Sequence, residues 1–102
     1  MDQKFYDMVE ANPVIAAIKD PDGLEKCCKV QDIRVVFILY GDVLNIADIV
    51  GKIRSAGKLA IVHVDLIVGL GTKEIAVDFI RRQTGADGII STKPAMIRRA
   101  RE

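Results

Sequence analysis

At 102 residues the chain falls below the ~150 residues typical of one domain, which excludes a two-domain organisation. With 50% hydrophobic and 28% charged residues it has enough apolar side chain for a core and too little charge imbalance for disorder. A net charge of +1 excludes a uniformly basic nucleic-acid binder, yet residues 1–50 hold five basic and nine acidic side chains and residues 51–102 hold ten and five, so an anion site is expected in the second half.

No apolar run approaches the ~18 residues needed to cross a bilayer, and the segment from Met1 to Phe5 leads into no signal-type hydrophobic region. A soluble cytoplasmic protein with no membrane partner is expected. The two cysteines, Cys27 and Cys28, are adjacent, and a bridge between them would close almost no loop, so reduced thiols on a helix are expected. With a single His and no cluster of ligand-type residues, neither a metal nor a cofactor is expected.

In chain order, a leading helix is expected from Gln3 to Glu10, broken at Asn12-Pro13 and followed by a buried strand from Val14 to Ile18. Asp20 then suits the N-cap of a short helix running to about Lys29, with Pro21 in its first turn. The run Arg34 to Tyr40 is β-branched and aromatic on both faces, as in a strand of a parallel sheet. Gly41-Asp42 opens a helix whose inward stripe is Val43, Ile46, Ala47, Val50 and Ile53, ending at Gly57. Leu59 to Val64 is a third strand. Thr72 then caps a helix with Ile75, Ala76, Phe79 and Ile80 inward, ending at Gly85; Gly88 to Ser91 is a fourth strand, and a last helix starts at Pro94. Four βα units at roughly 25 residues each make half of the eight that a (β/α)₈ barrel contains. The expected fold is therefore α/β, a parallel (βα)4 half of a TIM barrel, with residues 1–102 as one half-barrel domain.

Ligands of parallel α/β sheets collect at the carboxyl ends of the strands. There the sequence places Lys19 after the first strand, His63 and Asp65 at the third, and Ser91, Thr92 and Lys93 at the fourth, just ahead of a helix whose free amides favour anions. Strand alternation would aim His63 and Asp65 to one side, either as a functional pair or as a hydrogen-bonded structural one. The hydroxyls of Ser91 and Thr92 suit ordinary capping as well as anion binding, and Lys19 suits a solvated rim. Gly69-Leu70-Gly71 lacks the third glycine of a dinucleotide fingerprint. Arg98, Arg99 and Arg101 on the last helix form either a contact for RNA phosphates or a solvated helix end.

From His63 to Leu70, from Gly88 to Lys93 and from Val36 to Asp42, the sequence resembles the glycerol-3-phosphate responsive antiterminator family, regulators of bacterial glycerol-uptake operons; the resemblance runs from Pro13 to the end. It implies a TIM-barrel-like regulator, not an enzyme, that senses glycerol 3-phosphate and acts on leader mRNA to prevent transcription termination. It also implies that His63, Asp65, Thr92 and Lys93 line the mouth of the barrel and that Lys19 stands where the family carries a basic residue. Lys19 and Lys93 would then hold the phosphate, while His63 and Asp65 would bond the glycerol hydroxyls or fix one another. Family members continue for about another half barrel, so the chain is expected to be a truncated barrel or a half-barrel completed by a second copy, a homodimer or higher. The alternatives are an enzyme of the phosphosugar barrel type, with His63 as acid/base and Asp65 orienting it, or a fragment that retains the fold without the site.

Overall fold

The computed structural model describes residues 14–102. The expected leading helix, Gln3 to Glu10, lies outside the described residues. Four strands, β1 (Ile15–Ile18), β2 (Val35–Ile38), β3 (Leu59–His63) and β4 (Gly88–Ile90), alternate with four α-helices, α1 (Pro21–Lys29), α2 (Ile46–Ser55), α3 (Ile75–Thr84) and α4 (Pro94–Arg101). The sheet order is β1-β2-β3-β4, with every neighbouring pair parallel. This is the expected (βα)4 sheet, the arrangement of one half of a barrel.

The strands are shorter than their apolar runs, because pairing stops before the side-chain pattern does. The backbone ladder nevertheless reaches past them: Arg34 N donates to Val14 O at 3.2 Å and Leu39 N to Ile18 O at 2.9 Å. Both faces of β2 are buried, with Val36 and Ile38 in the core beneath the helices and Val35 in a second cluster on the other face. That second cluster combines Val35, Leu59 and Ile61 with half-buried Phe37 and Ile90. Among the described residues it is made of strand side chains alone.

Helix α1 starts as expected, with Gly23 N donating to Asp20 Oδ1 at 2.7 Å and Pro21 in the first turn. Helix α2 begins later than expected. Leu44 N and Asn45 N both donate to Asp42 Oδ1, at 2.8 and 3.0 Å, and Asp42 N donates to Asn45 Oδ1 at 2.8 Å, which closes a turn in place of a first helical turn. The same segment is bridged to Val68, with Val43 N donating to Val68 O and Val68 N to Gly41 O, each at 3.0 Å. Gly41, at φ 115°, tolerates this path, since a Cβ there would stand 3.0 Å from Asn45 Oδ1. Val43 is consequently outside the helix, and the inward stripe is Ile46, Ile49, Val50 and Ile53, with Ala47 exposed.

Helix α3 is also shifted from expectation. Glu74, not Thr72, occupies the N-cap and makes no side-chain cap bond. Ile75 is therefore 71% exposed, and Val77 joins Ala76 and Ile80 in the core. The helix ends at Gly85 as expected, in the left-handed region at φ 72°.

Two ties hold the ends of the sheet. Lys58, only 6% exposed, donates through Nζ to Val30 O and Ile33 O, each at 2.7 Å, so its ammonium satisfies carbonyls of the α1–β2 connection beside the start of β3. At the start of β4, Asp87 N donates to Ala60 O while Asp87 Oδ2 accepts from Ala60 N, both at 2.9 Å. Cys27 and Cys28 are unbridged, and burial, then the neighbouring Cys28, push the Cys27 thiol up to about 11.

Lys58→Met preserves the apolar stem but leaves two buried carbonyls without a donor, so it should destabilise the chain by about 1–3 kcal/mol in urea denaturation. Cys27 is held protonated at neutral pH and is buried, so mass spectrometry after brief alkylation of the native chain should find Cys27 unmodified until the protein is unfolded.

Candidate functional site at the carboxyl ends of the strands

His63 closes β3 opposite Ile90 of β4. Two residues beyond Ile61, it lies on the face of the strand-only cluster, where its Nδ1 is buried and has no hydrogen-bond partner. After His63 the chain leaves strand geometry for a 3-10 turn, Val64–Leu66. The alternation expected to carry Asp65 to the side of His63 therefore ends one residue too soon.

The turn instead delivers Asp65 to the segment between β4 and α4. Its Oδ1 accepts from Ser91 Oγ at 2.8 Å, and its Oδ2 accepts from Thr92 N at 2.7 Å and Thr92 Oγ1 at 3.0 Å. Lys93 Nζ stands 3.9 Å from Oδ1, and the Ser91 hydroxyl also accepts from Lys93 N at 3.0 Å. Burial opposes ionisation of this carboxyl, whose side chain is 12% exposed. The Thr92 amide, the two hydroxyls and the Lys93 charge outweigh it and hold the carboxyl below its ordinary value.

Of the residues singled out in the sequence, the structure thus brings Asp65, Ser91, Thr92 and Lys93 into one cluster, with His63 at the adjoining strand end. An internal carboxylate already occupies the Thr92 amide that an incoming anion was expected to use. Lys19 is not brought to this cluster. It is an exposed residue following β1, at the opposite edge of the sheet, three interstrand steps and therefore about 14 Å from the β4 end.

The arginines of α4 do not act as one run. Arg99 is clamped to Asp78 of α3, donating from Nε to Oδ1 at 3.0 Å and from Nη2 to Oδ2 at 2.7 Å, and it also meets Glu102 at 3.3 Å. This fork raises the Arg99 pKa further and lowers that of Asp78. Arg81, which the sequence pattern did not single out, donates to the carbonyls of Arg99 and Ala100 at 3.1 and 2.6 Å. Arg98 and Arg101 are exposed.

A groove of about 860 Å³ lies between α1 and α2, lined in part by Leu24, Cys28, Ala47 and Gly51, and contains none of the strand-end residues. Among the described residues no group of three His, Cys, Asp or Glu side chains is placed to hold a metal ion, and no helix is long and apolar enough to cross a membrane.

A parallel sheet of βα units with a His, a carboxylate, two hydroxyls and a lysine gathered at its strand ends defines an α/β protein of the barrel type of organisation. The chain belongs to the glycerol-3-phosphate responsive antiterminator family, which it matches over residues 14–102. It is 44% identical over 94 residues to the uncharacterized protein YgcP of Escherichia coli (strain K12), covering 92% of this chain and 49% of that protein. Among solved structures, it is similar to a glycerol uptake operon antiterminator-related protein from Thermotoga maritima, with 36% identity, a TM-score of 0.75, and coverage of 85% of this chain and 48% of that one. It is also similar to the glycerol uptake operon antiterminator regulatory protein from Listeria monocytogenes, with 28% identity, a TM-score of 0.82, and coverage of 88% and 49%. The chain spans about half the length of these relatives.

Because the folded pKa of Asp65 lies below that of the unfolded chain, its contribution to stability is complete above the ordinary value of 3.8 and is lost as pH falls through the lower folded value. Asp65→Asn should remove this acid-side loss and lower stability at neutral pH by about 1–3 kcal/mol, as followed by urea denaturation across the acid range.

Proposed function

We propose that the chain is a ligand-responsive regulatory module, without turnover, that binds glycerol 3-phosphate at the strand ends and acts on leader mRNA of glycerol-uptake genes in the cytoplasm. The family membership supports the regulatory class, and the names of the solved relatives tie that class to glycerol uptake operons. The observation that carries the ligand reading is the buried, unpartnered Nδ1 of His63 beside the Asp65, Ser91, Thr92 and Lys93 cluster. A hydroxyl both donates and accepts, so a polyol completes this nitrogen in either tautomer. Lys93, 46% exposed and at the long distance of 3.9 Å from Asp65, retains the reach to pair with a phosphate. Ser91 and Thr92 supply further hydroxyl contacts.

The same geometry argues against an acid/base dyad. Asp65 would have to orient His63, and its carboxylate is instead committed to the β4–α4 segment. For RNA, Arg98 and Arg101 are the exposed cations of α4, whereas Arg99 serves the α3–α4 contact.

Calorimetric titration with glycerol 3-phosphate should show binding by the parent chain. Lys93→Ala should weaken it at least about tenfold through loss of a charge-assisted contact, and His63→Ala should weaken it less. No binding by the parent chain removes the sensor role, and product formation from a panel of phosphosugars replaces it with an enzyme. A leader RNA should be retarded on a gel, the effect declining with salt and weakened by Arg98→Ala with Arg101→Ala.

A further inference from the structure

We propose that the 102-residue chain pairs with a second copy of itself through the helix-free face and both edges of its sheet, so that the partner's Lys19 stands beside Lys93 and completes the anion site. The pairing stands on the sheet alone, and the shared site rests additionally on the ligand reading above.

All four helices belong to the core on one face, and the other face carries the cluster built from strand side chains. A parallel sheet is stable when both faces are covered. On the helix-free face, cover diminishes toward β1: Val35, Leu59 and Ile61 are buried, Phe37 and Ile90 are half-buried, and Ile15, in register with Val35, is 40% exposed. Ala17, in register with Phe37, is exposed as well. Each of β1 and β4 pairs with one neighbour, and an edge strand with apolar side chains is a template for another strand.

A second copy fits these features in number and direction. A half-turn about an axis parallel to the strands keeps all strands parallel, sets β4 beside the partner's β1 and the partner's β4 beside β1, and closes both edges with one self-complementary contact. Two four-stranded sheets then make eight strands, the number at which inward side chains fill the interior of a barrel. The solved relatives are about twice as long as this chain, so the same four-unit sheet is half of a larger chain in them.

The closed arrangement also resolves the position of Lys19. Within one chain it is three strands away from the β4 end, whereas across the contact it belongs to the strand next to β4. Lys93, the partner's Lys19 and Asp65 would together leave one net positive charge at each mouth site, which suits a phosphate dianion better than Lys93 already facing Asp65 alone.

Light scattering of the 102-residue chain should give twice its 11.2 kDa mass. A monomer overturns the proposal. Ile15→Glu and Ala17→Glu change exposed positions, so each should yield a monomer with an unchanged circular dichroism spectrum, and a dimer that survives both overturns this choice of interface. Lys19→Ala and Lys93→Ala chains, each weakened alone, should recover parent-like binding of glycerol 3-phosphate in about a quarter of the sites when refolded together, since random pairing leaves one complete site in each mixed dimer. If the parent chain binds but mixing restores nothing, the shared site is overturned. If the dimer binds no glycerol 3-phosphate, the ligand reading fails by itself. The juxtaposition is then decided by Lys19→Cys with Lys93→Cys, which should give a covalent dimer with a short bismaleimide while the single variants, retaining Cys27 and Cys28, do not.

Discussion

Strand β4 has three residues, too few to hold its place by ladder bonds alone, and two carboxylates secure it to β3. Asp87 exchanges hydrogen bonds with the Ala60 backbone before the strand begins, and Asp65 gathers the amide and hydroxyls of the segment after it ends. With both ends held, the start of α4 is placed against the end of β3, and the polar residues of two separate βα units become one cluster. The charge-assisted bonds to Asp65 are stronger than neutral ones, which is why a short edge strand suffices here. The same bonds occupy the Thr92 amide, so any anion at this mouth meets lysine and hydroxyl groups and an already placed carboxylate, not a bare helix N-terminus.

The packing supports that arrangement from below. Helices α1 to α4 cover one face of the sheet with a continuous apolar core, in which β2 and β3 are almost wholly enclosed. Charged side chains tie the helical layer at its ends, with Lys58 serving carbonyls of the α1–β2 connection, Arg54 reaching Gly85 O at 2.8 Å, and the Arg99–Asp78 fork joining α3 to α4. The basic excess of the second half of the sequence is thus partly structural, and the cations left for a ligand or a nucleic acid are fewer than composition suggests.

Much of the fold was legible because it depends on local pattern. Short apolar runs alternating with amphipathic ones marked four βα units, and Asp20-Pro21 and Gly85 marked a helix start and a helix end through capping preferences that act within a few residues. The failures occurred where a distant partner intervened. Val43 was drawn out of α2 by its bridge to Val68 and by the turn at Asp42, and Thr72 lost its capping role when α3 began at Ile75. In the site, residue types and strand-end positions were readable, but the His63–Asp65 pairing was not, because it presumed that extended geometry continued through Val64.

The sequence by itself determined the α/β class, the succession of units and the residues available at the strand ends, since hydrophobic period and capping chemistry are properties of neighbouring residues. Only the tertiary structure decided which of those residues meet. Asp65 turned from His63 to Ser91, Thr92 and Lys93, Arg99 turned from solvent to Asp78, and Lys19 and Lys93 were set at opposite edges of one sheet. Each of these outcomes depends on the strand order and on where a strand ends, which are fixed by contacts between segments far apart in the chain.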